Sequence, residues 1–195
     1  MPDPATVFLA TALGVGSSAE APPGLIEPTP AIAGHLELGL DLRRVATIAI
    51  ATSLARSWYD NTVPPPESVT AGDHVVLTRA ALGVTAEGRW PLGPVAPVVG
   101  GGVYVLKASA SASGALLGIR GEYYRESDTG LGLEARAGAD LDLSDGVVLG
   151  LRGGYTWARA ELPGLTDGAA TVGGLSIEAR IAVDLTGLRF DPQRR

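Results

Sequence analysis

The stretch GLGLEARAGADLDLSDGVVLGLRGGYTWARAE, residues 130–161, alternates between apolar and polar or small side chains. Leu131, Leu133 and Leu141 occupy alternate positions before Ser144-Asp145-Gly146, and the alternation resumes after it. Such a period of two is typical of β-strands, whose successive side chains point to opposite faces. Asp-Gly is a turn sequence, because glycine accepts a positive φ. The stretch therefore predicts two antiparallel strands joined by a tight turn.

The length of these two strands points to a membrane. Each has about 12 residues, whereas strands in globular sheets usually have about five or six. A tilted strand crosses a bilayer in about 9–11 residues. The hairpin therefore predicts membrane-spanning strands.

Six further segments alternate in the same way, at residues 7–16, 31–44, 45–60, 74–90, 95–107 and 174–185. With the hairpin they predict an all-β fold, an eight-stranded antiparallel up-and-down transmembrane β-barrel. We expect a single barrel domain over residues 1–190 and a short polar C-terminal tail at residues 191–195. The pattern is weakest where Gly100, Gly101 and Gly102 interrupt it, and we expect these glycines to leave room for bulky neighbours. Tyr104 is expected to point away from the valines beside it.

Residues 1–22 contain an apolar stretch that could be mistaken for a signal peptide. A signal peptide begins with a positively charged region, but the first charge here is Asp3. We therefore interpret this segment as the first strand and expect a signal sequence upstream of it.

The connections are predicted to alternate in length. Long, polar segments follow strands one, three, five and seven, and residues 108–129 are predicted to be the longest of them. Turns of a few residues follow strands two, four and six. Outer-membrane barrels have short periplasmic turns and long outward loops, and an even number of strands places both termini in the periplasm.

Composition narrows the class of protein further. The formal charge is −6 and the chain has no cysteine, so we expect neither nucleic acid binding, which needs a basic surface, nor disulfides. The mean hydropathy of +0.22 is high, yet no run approaches the roughly 18 apolar residues of a membrane helix. No metal-ligand spacing and no phosphate-binding glycine loop occur, so we expect no cofactor and no metal.

Alternation alone fits a soluble lipocalin-like barrel as well as a membrane barrel. The membrane is favoured because the polar face mixes charges with small residues, as a crowded eight-stranded interior requires. Aromatic residues near strand ends on the apolar face also suit a membrane interface. These are Trp58, Trp90, Tyr155 and Trp157.

The alternating segments, notably HLELGLDL at residues 35–42 and GGLSIEARIAVDL at residues 173–185, resemble the outer-membrane β-barrel family. That family includes the transmembrane domain of outer membrane protein A and outer membrane protein X, and the resemblance covers essentially the whole chain. It implies a monomer among membrane lipids in the bacterial outer membrane. Such barrels usually end on an aromatic residue. Here Phe190 is followed by DPQRR, so either the insertion signal is internal or the tail is an extension.

Charged residues on the polar face are expected to lie inside the barrel. They are Glu37, Arg79, Glu134, Arg136, Arg152, Glu178 and Arg180. The interior of an eight-stranded barrel is filled by side chains, and an isolated buried charge is costly. We therefore predict a salt-bridged plug, with Arg152 paired to Glu134. The alternative is a narrow or gated ion path in which the arginines set selectivity.

An outer-membrane lipid-modifying enzyme is a third hypothesis. Ser57 and Asp60 could approach His74 across a hairpin, but no spacing signature supports nucleophilic catalysis. His35 is expected to belong to the polar interior. We therefore predict no enzymatic activity.

The predicted third loop offers residues suited to contact with a partner. They are Arg120, Tyr123, Tyr124 and Arg125. Tyrosine and arginine are enriched in interface cores. The alternative is a solvated loop that packs on its own barrel, which is the ordinary behaviour of surface loops. For the chain as a whole, the sequence favours a structural or surface-interaction role, in which the extracellular loops are the candidate contact for a protein or surface ligand.

Overall fold

The computed structural model describes residues 5–18, 25–26, 30–42, 45–61, 74–116, 119–144, 146–162 and 169–186. These residues form ten strands: β1 (Thr6–Ser18), β2 (Leu25–Ile26), β3 (Ala31–Leu42), β4 (Ala46–Asn61), β5 (His74–Arg89), β6 (Val95–Leu116), β7 (Ile119–Ser144), β8 (Val147–Glu161), β9 (Ala169–Thr171) and β10 (Gly174–Asp184). Within the described ranges, no helix is long and apolar enough to cross a membrane.

Eight long strands close into a barrel in the order β1, β3, β4, β5, β6, β7, β8 and β10, and β10 pairs back onto β1. All of these pairings are antiparallel. Ala179 of β10, for example, has Leu13 of β1 on one side and Leu151 of β8 on the other. The short strands β2 and β9 pair with β4 and β8. The predicted eight-stranded antiparallel barrel is confirmed, and in the part of the chain that the structure describes each of its eight long strands pairs with a long strand on both sides.

The outer face of the barrel is apolar on every long strand. Large side chains that are half or more exposed include Leu13, Leu36, Ile50, Leu82, Val103, Leu133, Leu151 and Ile177. Charged and small residues at the alternate positions point into the barrel and are buried. The assignment of faces made from the alternation is therefore correct.

The tight turns also follow the prediction. Gly146, between β7 and β8, has a φ of 88°, and Gly93, between β5 and β6, has a φ of 73°. Side chains other than glycine rarely adopt these angles. Both turns lie at the end of the barrel where β1 begins, which we call the turn rim; the opposite end is the loop rim.

The prediction of a long third loop at residues 108–129 is wrong. β6 continues to Leu116 and β7 begins at Ile119, so most of this segment is a hairpin. The Ala/Ser run follows the alternation of a strand. Ala108 and Ala110 are fully buried, whereas Lys107, the residue before the run, is exposed. Because small residues occupy both faces here, the two faces differ little in hydropathy, and the sequence therefore predicted a loop. β6 and β7 reach 22 and 26 residues, well beyond their neighbours.

Candidate functional site in the barrel interior

The inward positions of five strands bring buried charges together inside the barrel. The buried ionisable side chains are Glu37, Glu87, Arg89, Glu134, Arg136, Asp140, Arg152, Glu178 and Arg180. They come from β3, β5, β7, β8 and β10, where every second residue faces the lumen. The barrel interior is therefore the main concentration of polar chemistry among the described residues.

Glu37 lies between two arginines. Its Oε1 atom is 2.7 Å from Nη2 of Arg136, and its Oε2 atom is 2.9 Å from Nη2 of Arg180. The Nε atom of Arg136 is in turn 2.7 Å from Oε1 of Glu87. Two carboxylates and two arginines thus alternate in direct contact.

The alternation continues from Glu87. Arg152 donates through Nε and Nη2 to the two carboxylate oxygens of Glu87, at 3.1 and 3.3 Å. Its Nη1 atom is 2.8 Å from Oδ1 of Asp140. Arg89 then contacts Asp140 at 3.4 Å and Asp142 at 2.5 Å. Planar guanidinium groups suit such double contacts with carboxylates.

These contacts form one continuous series, which we call the ion-pair series. Its members in order are Arg180, Glu37, Arg136, Glu87, Arg152, Asp140, Arg89 and Asp142. Positive and negative groups alternate, so each internal member has an opposite charge on both sides. Such pairing offsets the hydration that buried ions lose.

The series crosses the lumen. Glu37 is on β3 and Arg136 is on β7, which are four strands apart in either direction around the barrel. β5, which carries Glu87, and β8, which carries Arg152, are three strands apart. The ion pairs therefore join opposite walls of the barrel.

Two further carboxylates have partners outside the series. Oε1 of Glu178 is 3.1 Å from Nε2 of His35. The hydroxyl of Tyr104 donates to Oε2 of Glu134 at 2.5 Å. The Tyr104 ring occupies the space where Gly83 and Gly102 lack a side chain, which agrees with the predicted role of the glycines near this position.

Two clusters of buried apolar side chains also lie inside the barrel. A cluster toward the loop rim contains Tyr59, Val75, Leu77, Leu106, Ala108, Ala110, Ala158, Ala160, Leu162 and Val172. A smaller cluster toward the turn rim contains Phe8, Ala10, Ala49 and Ala182. The guanidinium of Arg180 lies 5.4 Å from the centre of the Phe8 ring, so this apolar cluster adjoins the ion-pair series.

The predicted interior residues divide into three groups. Glu37, Arg136, Arg152 and Arg180 belong to the ion-pair series, and Glu134 and Glu178 make the two separate contacts described above. Arg79 lies nearer the loop rim, where it donates to the backbone carbonyl of Val172 at 2.7 Å. The predicted pairing of Arg152 with Glu134 is wrong, because Glu87 and Asp140 reach Arg152 from other strands.

Four members of the series were not among the predicted interior residues: Glu87, Arg89, Asp140 and Asp142. The alternation places all four on the polar face of their strands, so the signal was present in the sequence. The sequence alone does not give the relative height of the strands. That height decides which side chains meet across the lumen.

The four predicted interface aromatics lie on the outer face. Trp90 follows the last residue of β5 at the turn rim and is 55% exposed. Tyr155 and Trp157 are on the loop-rim half of β8, with ring centres 4.6 Å apart. Trp58 is near the end of β4, where the Arg56 guanidinium lies 5.7 Å from its ring centre.

The residues considered for catalysis do not form a described site. Ser57 is fully buried inside the barrel on β4. Asp60 and His74 are backbone partners in the β4–β5 pair, but their side chains lie outside the described part. Among the described residues, no group of three His, Cys, Asp or Glu side chains could hold a metal ion.

Of the predicted loop contacts, Arg125 is exposed on β7. Arg120, Tyr123 and Tyr124 are on the same strand, and their side chains lie outside the described part. The tail at residues 191–195 also lies outside it, as do residues 187–190 of the expected barrel domain.

No known family model matches the chain, and no curated protein matches it in sequence. Solved structures do match. Neisserial surface protein A has 16% identity and a TM-score of 0.56, over 93% of this chain and 99% of that protein. Ail, the attachment invasion locus protein of Yersinia pestis, has 15% identity and a TM-score of 0.46, over 91% and 97%. The N-terminal β-barrel domain of Pseudomonas aeruginosa OprF has 11% identity and a TM-score of 0.41, over 92% and 99%.

Neisserial surface protein A is an outer-membrane β-barrel. At 16% identity, the likeness to Neisserial surface protein A concerns the fold. The chain has the fold of the eight-stranded outer-membrane barrels, as the alternating segments predicted.

Proposed function

We propose that the protein is an integral, monomeric β-barrel of the bacterial outer membrane, with a lumen closed by side chains and a structural or surface-interaction role. The observation that carries this proposal is the ion-pair series that joins opposite walls of the barrel. With the lumen occupied, the surfaces that remain for function are the lipid-facing wall and the loop rim.

The outer wall supports a membrane location. Leucine, isoleucine and valine are exposed on all eight long strands, which would form a large apolar surface in water. Trp90 at one edge and Trp157 at the other suit the two interfaces of a bilayer. Membrane lipids are the partners that this surface fits, and the long β6–β7 hairpin would face outward, with both termini in the periplasm.

The interior counts against an ion channel. Water and ions would have to replace contacts such as those of Glu37 with Arg136 and Arg180, and separating buried partners is costly. The larger apolar cluster toward the loop rim adds a second obstacle, because apolar constrictions resist wetting. We therefore do not propose that the protein is an ion channel.

The β6–β7 hairpin supports a surface-interaction role. Beyond Lys107, β6 continues to Leu116, about 30 Å along the strand at about 3.3 Å per residue. β5 pairs with β6 as far as Ser113, whereas the described pairing of β7 with β8 begins at Gly132, so the hairpin extends past the end of β8. Arg125 is exposed on this projection, and Arg120, Tyr123 and Tyr124 are close to it in sequence. The projecting hairpin is thus the part of the chain best placed to contact a protein or surface ligand.

A shortened hairpin tests this role. Ser111 and Arg125 are backbone partners, so replacing residues 112–124 by Asn-Gly joins them through a tight turn and keeps the register. Gram-negative cells that display the full-length protein should adhere to surfaces coated with extracellular proteins or glycans more strongly than cells that display the shortened variant.

Equal adhesion by both proteins, with unchanged amounts in the membrane, would contradict a contact role for the hairpin. The control is the electrophoretic mobility of unheated samples, since a closed barrel migrates differently from its unfolded chain. Both proteins should show this difference.

A further inference from the structure

Three exposed cations lie at one height on the outer wall. Counted from the first residue of its strand, Arg56 lies ten positions along β4. Lys107 lies twelve positions along β6, and Arg159 lies twelve positions along β8. These three strands start at the turn rim and run toward the loop rim, so similar counts place the cations at similar heights. The fourth strand that runs this way, β1, has Ser17 at the corresponding position.

Each cation lies two positions beyond an exposed apolar residue of the outer wall, and on β4 the interface aromatic Trp58 follows Arg56. The outward residue two positions earlier is Leu54, Val105 or Trp157 in turn, and all three are more than half exposed. If these side chains contact hydrocarbon, the next outward position falls at the level of the lipid headgroups. Long basic side chains at that level can keep their stems on apolar surface and extend their charges to the phosphates.

The cations form an arc along one half of the barrel, on β4, β6 and β8. The outward residues between them include Thr78, the backbone partner of Arg56, and Thr129, the partner of Lys107. Two described carboxylates adjoin this part of the wall: Glu161 is two positions beyond Arg159 toward the loop rim, and Asp128 accepts from the backbone N–H of Glu161. The other half of the barrel presents Ser17, Ile32 and Leu175 near its loop rim, so among the described residues the exposed positive charge at this height lies on one side.

We propose that this basic arc binds phosphate groups of lipid headgroups in the leaflet on the loop-rim side, with one phosphate at each cation. Neighbouring members of the arc are two strands and about two residues apart, a spacing of about 12 Å. One phosphate cannot bridge that distance, so each cation takes its own, and arginine suits phosphate through its paired donors. This inference rests on the proposed membrane location, with the hairpin facing outward.

Native mass spectrometry of the purified, delipidated protein tests the arc. The protein in detergent is mixed with equal amounts of phosphatidylcholine, phosphatidylglycerol and bisphosphorylated lipid A, and the lipid that stays bound is measured. The wild-type protein should retain lipid A most and zwitterionic phosphatidylcholine least. Each of R56Q, K107Q and R159Q should lower lipid A retention about fivefold, the factor that corresponds to about 1 kcal/mol per basic residue at a lipid surface.

Two matched variants sharpen the result. R125Q removes an exposed cation four positions beyond Thr129, toward the tip of the hairpin, and should leave retention unchanged. K107R keeps the charge and should retain lipid A as the wild type does. Equal retention of the three lipids by the wild type, or equal losses for R125Q and K107Q, would overturn the proposal.

The result expected if the arc does not bind lipid differs from the result expected if the proposed function is wrong. A protein without lipid preference would still show the heat-dependent mobility of a closed barrel and hairpin-dependent adhesion. Loss of the barrel itself would remove all three properties together.

Discussion

Glu37 and Arg136 contact each other across the full width of the barrel. Their strands lie on opposite walls, and 2.7 Å separates Oε1 of Glu37 from Nη2 of Arg136. A contact between opposite walls means that the lumen at this height is occupied by the two side chains. It also ties distant strands together, in addition to the backbone pairing of neighbours.

This contact predicts energetic coupling. Arg136→Gln should destabilise the barrel by about 3–5 kcal/mol, because Glu37 and Glu87 each lose a buried partner. E37Q combined with R136Q should cost less than the sum of the single changes, with a coupling of about 0.5–3 kcal/mol. The measurement is urea unfolding in lipid vesicles, followed by tryptophan fluorescence. Exposed R125Q is the control and should change stability by less than about 0.5 kcal/mol.

Glu134 and Arg152 should behave independently, although both are buried charges on the neighbouring strands β7 and β8. Their partners differ, since Glu134 accepts from Tyr104 and Arg152 contacts Glu87 and Asp140. A double-mutant cycle with E134Q and R152Q should therefore be additive within about 0.5 kcal/mol. A larger coupling in the same unfolding assay would mean that the two side chains meet.

Tyr104→Phe should destabilise the barrel by about 1–3 kcal/mol, because it removes the hydroxyl that donates to the buried carboxylate of Glu134. Replacing both partners, as Y104F with E134Q, should recover part of that loss, since the amide carries less charge to be left unpaired. Unfolding free energies of the two single variants and the double variant provide the check. If Y104F is as stable as the wild type, the hydroxyl is not the partner of Glu134.

A charged side chain introduced on the lipid-facing wall should destabilise the barrel. Leu133→Arg or Ile181→Arg should cost about 2–4 kcal/mol if these exposed side chains lie near the middle of the bilayer. Ser127→Arg, at an exposed position on the projecting part of β7, is the matched control and should be tolerated. Equal costs at Leu133 and Ser127 would show that the wall does not face lipid.

The sequence was informative about the barrel because one physical rule governs each strand. Alternation placed Leu133 outside and Arg136 inside without any knowledge of the fold. The alternation was not recognised at residues 108–129. This segment begins with alanine and serine rather than leucine and glutamate, so the two faces differ little in hydropathy.

Partners in the interior could not be predicted in the same way. Alternation fixes the face of Arg152, but its contact with Glu87 depends on how far β5 and β8 are shifted along the barrel. That shift accumulates over the strands between them and is set by their pairing register. The apolar cluster around Tyr59 and Leu106 was missed for the same reason, because its members are far apart in sequence.

The most direct test of the closed lumen is the conductance of the unmodified protein in planar lipid bilayers. The inserted protein is identified as folded by its mobility before heating, and a known porin measured under the same conditions shows that currents can be detected. The ion-pair series predicts no steady current through the barrel. Stable, stepwise and ion-selective currents from the folded protein would contradict the closed lumen and support the channel hypothesis.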